Sequence, residues 1–306
     1  MARYCVTLVC NEGYLDKAGF VAEQLLAQSN RNFDVLICTD TIPDQKPSFL
    51  PEGVSLRQIV LDDTLTNLPQ NERLKHYTYW RLPAIEMLST EYERILYLDT
   101  DVFVAEDGLS ALFDVDMQGA TLAATLDVHQ RHRPDRAVRE FTAMGYETAP
   151  YFNAGVLLVD GRRWHETLAF ENIMRIAQTS PEVLFCHDQS LLNIQFYNDW
   201  LELSPVWNWQ NSDRVNLVVE FISPYLIHFI GPTKVWNTPD GSIPIKYHNA
   251  FAVYTGQRIG EHQGTKSVFN LLVKNIWYWR KTSKYLSSFT NPSDTKRHMP
   301  LRSEKK

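Results

Sequence analysis

Cysteine is scarce in this chain, with four in 306 residues. Cys5, Cys10, Cys38 and Cys186 form no Cys-x-x-Cys pair, which removes the usual spacing of zinc and dithiol redox sites. Three of them fall in apolar, strand-like runs and read as buried, reduced thiols, as expected of a cytoplasmic protein. Glycine is sparse as well, at 13. The early turn Asn11-Glu12-Gly13-Tyr14 lacks the further glycines with which a dinucleotide fingerprint approaches a pyrophosphate. No apolar run approaches the roughly 18 residues needed to cross a bilayer, so no spanning helix is expected. The opening apolar stretch is interrupted at Asn11 and Glu12, too early for a signal peptide. A positive excess is also missing: the net charge of −6 gives no support for nucleic acid as a partner. Neither internal repeats nor low-complexity segments are present.

The hydrophobic content of 44% is enough for a sizeable core, and the length suits one large domain with an appendage or two small domains. Charge is unevenly spread. Lys266–Lys306 carries ten Lys/Arg against Asp294 and Glu304, which leaves 20 basic and 34 acidic residues in Met1–Thr265. An acidic body, residues 1–265, and a basic tail, 266–306, are the expected divisions.

Strand-like and helix-like segments alternate from the start. Tyr4–Cys10, Phe33–Cys38 and Val54–Val60 read as strands; Leu15–Gln28 has helical apolar spacing. This alternation predicts an α/β sheet with parallel strands. Glu72–Leu88 is expected to be helical, with Pro83 marking a start or kink. Gly108–Phe113 reads as a short helix and Thr121–Thr125 as a strand. Tyr151–Asp160 reads as a buried strand, followed by helical spacing over Gly161–Ala177 and by a last short strand at Leu226–Ile230.

The segment that organises the rest is Arg94–Phe103, in which Ile95–Leu98 runs into Asp99-Thr100-Asp101. Carboxylates are costly to bury unpaired, so both should lie at the strand's open end. Residues i and i+2 of an extended chain project to one side, so two hard oxygens could share one divalent cation. That end of a parallel sheet is also where ligands bind. A bare Asp-x-Asp is equally at home in an ordinary strand-end turn. Asp127–Pro150 carries Arg131, Arg133, Arg136 and Arg139 with His129 and His132, either a solvated loop and helix or a mobile flap over an anionic ligand. Asn153-Ala154-Gly155 is a small-residue break that would admit a close backbone approach to a ligand. Asp188, ahead of Gln189, is a candidate helix cap or a site residue. Trp207-Asn208-Trp209 offers either an aromatic platform for a sugar ring or two core tryptophans.

In order, the chain contains Val6-Thr7-Leu8-Val9-Cys10-Asn11-Glu12-Gly13-Tyr14, Tyr79-Trp80-Arg81-Leu82, Leu98-Asp99-Thr100-Asp101-Val102, Phe152-Asn153-Ala154-Gly155-Val156, Asp188-Gln189 followed by Leu192-Asn193, and His228-Phe229-Ile230-Gly231 followed by Lys234, Trp236 and Asn237. From Tyr4 to Asn237 this resembles glycosyltransferase family 8, which includes glycogenin and bacterial lipooligosaccharide galactosyl- and glucosyltransferases. The resemblance implies a GT-A fold: a Rossmann-like, mixed and mainly parallel sheet flanked by helices. It implies that Asp99, Asp101 and His228 hold a divalent cation, Mn2+ rather than Mg2+, since imidazole is a softer donor. It implies a UDP-sugar donor held by Leu8, Cys10, Asn11, Tyr14, Arg81, Thr100, Asn153, Ala154, Gly231 and Lys234. Asp188 and Gln189 would flank the reactive carbon, with anomeric configuration retained. The acceptor would be an oligosaccharide or glycolipid. Where the family often has Lys-Pro-Trp, this chain has Lys234-Val235-Trp236, a change expected to affect loop stiffness more than chemistry.

Two other readings compete. A haloacid-dehalogenase-type phosphatase also places Asp-x-Asp after an apolar strand, but needs a later Gly-Asp or Asp-Asp pair, and none follows Asp101. A non-catalytic sugar-nucleotide-binding protein would keep the fold and lose the chemistry. In the tail, Val268, Leu271, Leu272, Ile276 and Trp279 follow helical spacing among Lys274, Arg280, Lys281 and Lys284. This predicts either a basic amphipathic helix on an anionic membrane surface, placing the protein peripherally on the inner face of the membrane, or a helix packed on the acidic body.

Overall fold

The computed structural model describes residues 2–61, 63–68, 76–211, 223–237 and 243–256. Its centre is a seven-stranded mixed sheet of β1 (Ala2–Val9), β2 (Asp34–Thr39), β3 (Val54–Gln58), β4 (Tyr92–Leu98), β6 (Leu122–Leu126), β7 (Phe152–Asp160) and β8 (Leu201–Glu202). The order is β3-β2-β1-β4-β7-β6-β8. The β3/β2, β2/β1, β1/β4 and β6/β8 pairs are parallel, and β7 runs antiparallel to both neighbours. A second sheet, in the order β5-β10-β9, contains β5 (Val102–Val104), β9 (Trp209–Gln210) and β10 (Leu226–His228).

Strand β4 is apolar on both faces because helices cover both faces. Ile95 and Tyr97 enter a core shared with α3 (Arg81–Ser89), α7 (Ala169–Thr179) and α8 (Asp188–Gln195). Leu96 and Leu98, one residue out of phase, join Leu8, Leu15, Val21 and Leu25 in the core beneath α1 (Leu15–Leu26). α9 (Ile245–Tyr254) packs Tyr247 and Phe251 on the second sheet beside Phe229 and Ile227. α2 (Asp63–Thr66) is a single turn.

Several expected boundaries shift for physical reasons. Helix α3 starts at Arg81 after a 3-10 segment, His76–Trp80; Pro83 therefore sits in its first turn, where the missing N–H costs nothing. Residues 72–75 of the expected helix lie outside the described residues. The run 161–177 divides into α6 (Gly161–Glu166) and α7, separated at Leu168, whose φ of 50° ends the first helix. Leu109–Asp114 is a 3-10 helix rather than an α-helix. Strand β3 ends at Gln58, leaving Val60 86% exposed. The arginine-rich segment combines loop and helix, as expected. It holds α4 (Val128–His132) and α5 (Arg139–Ala143), and Phe141 and Tyr151 form a small core there. Arg131 lies 3.7 Å from Glu202, and the Arg139 guanidinium lies over the Phe185 ring at 4.0 Å. Cys5, Cys10 and Cys38 are buried as expected, whereas Cys186 is exposed. Burial pushes the Cys10 and Cys38 thiols up to about 12 and 11, which keeps them protonated.

Candidate active site

The site lies where the two sheets meet. β4 ends at Leu98, the chain turns through Asp99-Thr100-Asp101, and β5 begins at Val102. Asp99 N donates to Gly155 O at 2.8 Å and Val102 N to Asp99 O at 3.2 Å. The carboxylates thus converge across a turn rather than along an extended strand. β10 pairs with β5 so that His228 opposes Val102, and Phe229 N donates to Asp101 O at 3.1 Å. This register brings the imidazole at the end of β10 onto the carboxylates: His228 Nε2 lies 3.1 Å from Asp101 Oδ1 and 3.6 Å from Asp99 Oδ2.

The ligand atoms of Asp99, Asp101 and His228 all lie within 4.8 Å of one another. Two observations test whether a cation fits. Apart from its contact with His228 Nε2, Asp101 Oδ1 is buried with no hydrogen-bond partner among the described residues, an arrangement that a shared cation would satisfy. Gly155 provides the room: a Cβ there would lie 2.6 Å from His228 Nδ1 and 2.8 Å from Asp99 Oδ2. Two carboxylates and an imidazole suit a divalent transition metal better than calcium. The donor set fits. Lys234 donates to Asp101 Oδ2 and to Phe229 O. Burial alone would raise the Asp101 pKa, but Lys234 and His228 outweigh it and hold the carboxyl well below the usual range.

Arg81 is buried rather than exposed. Its guanidinium pairs with Asp99 Oδ1 at 3.0 Å and Asp188 Oδ2 at 2.9 Å, donates to Ala154 O and lies 4.5 Å over the Tyr97 ring. Tyr97 in turn donates to Asp99 Oδ1 at 2.6 Å. Arg81 therefore ties the cation ligands to the first residue of α8. Asp188 is that first helical residue, not the cap; the cap is His187, at φ 56° and ψ −121°. This is a strained conformation for a non-glycine residue, and its ring stacks parallel to Tyr79 at 5.8 Å. Burial pushes the Asp188 carboxyl up to about 6 against the pull of Arg81. Gln189 Oε1 accepts from Ala154 N at 3.0 Å and Asn153 Nδ2 at 3.3 Å, while its Nε2 donates to Asp127 Oδ2 at 3.4 Å.

The other expected residues are less uniform. Leu8 is fully buried and its side chain belongs to the core; Cys10 and Ala154 are also buried. Asn11 has a buried Oδ1 with no hydrogen-bond partner, and Tyr14 is 43% exposed. The Tyr14 ring meets Trp236 edge-on at 6.2 Å, so the β1 turn and the Gly231–Lys234 loop stand side by side. Thr100 and Gly231 are half-buried at the rim. The tryptophans are core residues, not a sugar platform: Trp207 stacks on Tyr225 at 4.2 Å and Trp209 is buried in the second core. Asn208, Tyr97 and Asp127 were not singled out by residue chemistry. Tyr97 had a signal, since period two places it on the side of Asp99. A polar Asn208 between two buried tryptophans was a second one.

Comparisons with known proteins place most of the chain. The family model for glycosyl transferase family 8 matches residues 5–239. General stress protein A of Bacillus subtilis is 27% identical over 64% of this chain and 73% of its own length. Lipopolysaccharide 1,2-glucosyltransferase of Escherichia coli is 28% identical over 73% of this chain and 70% of its own. The structure of the galactosyltransferase LgtC with donor and acceptor sugar analogs aligns at a TM-score of 0.65 and 18% identity, covering 84% of this chain and 98% of that one. That likeness identifies the architecture as the GT-A type. A match over most of the chain leaves no room for the phosphatase reading: the chain belongs to glycosyl transferase family 8 and is a glycosyltransferase.

Proposed function

We propose that this enzyme moves a hexose, galactose or glucose, from a UDP-sugar to a cell-surface glycan such as lipopolysaccharide, with the aid of Mn2+ and with retention at the anomeric carbon. The observation that carries the proposal is the convergence of Asp99, Asp101 and His228 beside Lys234 and the Asp188-Gln189 pair. The choice of acceptor is supported by relatives named lipopolysaccharide 1,2-glucosyltransferase and lipopolysaccharide 1,3-galactosyltransferase.

Asp99, Asp101 and His228 would hold the cation, which supplies Lewis-acid stabilisation of a diphosphate leaving group. Lys234 adds a positive charge that faces the same carboxylates and can turn to the diphosphate as charge develops there. Asn11 Oδ1, buried and unsatisfied, is available to a donor group of the base, and Tyr14 presents an exposed ring edge beside it. Arg81 holds Asp99 and Asp188 in register and so acts on the donor through them. Asn153 and Gln189 present amides to the sugar.

Neither acidic nor amide side chain is well prepared as a covalent nucleophile. Asp188 is buried against Arg81, and both donors to Gln189 Oε1 come from the β7 strand. Front-face attack by the acceptor hydroxyl is therefore favoured. The C–O bond to the acceptor forms as the sugar–phosphate bond breaks, and the hydroxyl proton passes to the departing phosphate. Among the described residues no helix is long and apolar enough to cross a membrane. The basic segment 266–306 lies outside the described residues; its association with an anionic, inner-face membrane is part of this proposal.

A thermal-shift panel of nucleotide sugars with Mn2+ tests the donor assignment. Stabilisation by UDP-galactose or UDP-glucose, lost with EDTA, is the expected outcome. Stabilisation by GDP- or CMP-sugars alone would overturn it.

A further inference from the structure

Three amides next to the site, Asn153, Asn208 and Gln189, can be oriented, because backbone N–H groups anchor two of them and the third follows. Gly155 N donates to the side chain of Asn153 at 3.1 Å, so that atom is Oδ1. Asn208 approaches the same Oδ1 at 2.9 Å, so Asn208 must present Nδ2 to it. Its Oδ1 then faces His228 Nδ1 at 3.2 Å, and only a protonated Nδ1 can satisfy that contact. Nε2 is then the ring nitrogen that faces Asp99 and Asp101, where a bound cation would take the place of its proton. On the other side, Ala154 N fixes Gln189 Oε1, and Asn153 Nδ2 reaches the same oxygen. Asn208 is 1% exposed, and His228 and Asn153 are 4% and 9% exposed, so solvent cannot substitute for these bonds.

We infer that Asn208 is a positioning residue with two separable tasks. Its Oδ1 selects the Nδ1–H tautomer of His228, which makes Nε2 a cation ligand. Its Nδ2 holds Asn153 in the orientation that presents the amide toward the sugar and Gln189. One side chain thus joins the cation ligand to the sugar-facing residues. The inference rests on the proposed cation role of His228, whereas the contacts of Asn208 with His228 and Asn153 are present without the cation.

The experiment uses the full chain. Nitrogen-15 NMR of the imidazoles with Zn2+ bound, as a diamagnetic stand-in for Mn2+, reads which His228 nitrogen carries the proton and which the cation; His228→Gln assigns its signals. The expected spectrum shows Nδ1 protonated and hydrogen-bonded and Nε2 cation-bound, and the Nδ1 signal should shift in Asn208→Ala. By calorimetry Asn208→Ala should weaken Mn2+ binding by about 10–100-fold, the usual cost of removing a ligand's outer partner. Asn208→Asp keeps an acceptor for Nδ1–H but loses the donor to Asn153. It should bind Mn2+ within about threefold of the parent while raising the KM for UDP-hexose. A parent spectrum with Nε2 protonated, or unchanged Mn2+ affinity in Asn208→Ala, would overturn the inference. So would equal loss of Mn2+ binding in both variants. Failure of the parent itself to bind Mn2+ would refute the cation reading, and the KM of Asn208→Asp for UDP-hexose would still decide the second task of Asn208.

Discussion

Gly155→Ala should disable the cation site while leaving the fold in place. The added methyl would lie 2.6 Å from His228 Nδ1 and 2.8 Å from Asp99 Oδ2. Ordinary carbon contacts begin near 3.5 Å, so one partner must withdraw by roughly an ångström. Asp99 is restrained by Arg81 and Tyr97, and β7 is a central strand whose backbone cannot shift easily. The His228 ring is therefore the group that moves. Metal sites tolerate about 0.2 Å in ligand position, so Mn2+ affinity should fall at least about tenfold to a hundredfold. Overpacking of this kind costs about 1–3 kcal/mol of stability, less than the roughly 5–15 kcal/mol typical of a folded domain. Calorimetric Mn2+ titration and thermal unfolding, run side by side, separate the two effects. Mn2+ binding within twofold of the parent would refute the packing of His228 against Gly155.

Gly161→Ala is the matching control. Its Cβ would run into the carbonyl of Tyr92 and come within 3.1 Å of that of Ser89, so thermal stability should fall while the remaining folded protein binds Mn2+ normally. Asp101→Asn should reduce turnover at least about a hundredfold, as expected for loss of a charge at the leaving group, with far-ultraviolet circular dichroism unchanged. Asp188 supplies a pH test. Its folded carboxyl titrates near 6, above the unfolded value of about 3.9. The folded chain therefore binds the extra proton between these values, and this group lowers stability as pH rises from about 4 to 6. The parent should lose stability across that window relative to Asp188→Asn in urea titrations; parallel pH profiles would contradict the assignment. A chain ending near Thr265 should lose salt-sensitive sedimentation with anionic vesicles yet still turn over a soluble acceptor. Equal sedimentation would exclude 266–306 as the anchor.

Much of this site was legible because its residues sit at the ends of strongly patterned strands. The apolar run before Asp99 and the short strand ending at His228 each marked a chain end facing a ligand. What periodicity could not show was how β10 pairs with β5, because antiparallel register across more than 120 residues of separation is set by tertiary packing. That register, not the i and i+2 rule, brings His228 to Asp101. The same limit hid the purpose of Gly155, which was legible as a place of close approach but not as the space for an imidazole. The resemblance assigned Arg81 directly to the donor, and its burial was not legible because a sequence carries no burial for charges; two acidic partners from distant segments offset the cost of burying it. Trp207 and Trp209 drew the eye from Asn208, although the polar residue is the one that reaches the site. The fold was clearer than its edges: strand and helix alternation predicted the α/β sheet, while the left-handed Leu168 that divides α6 from α7 has no composition signal.

The most direct test of the central claim is turnover itself, followed as UDP release and product mass with UDP-glucose or UDP-galactose and a truncated lipopolysaccharide acceptor. Transfer that requires Mn2+, stops with EDTA and is absent in Asp101→Asn is the predicted result. Full transfer by Asp101→Asn in the presence of EDTA would contradict the account.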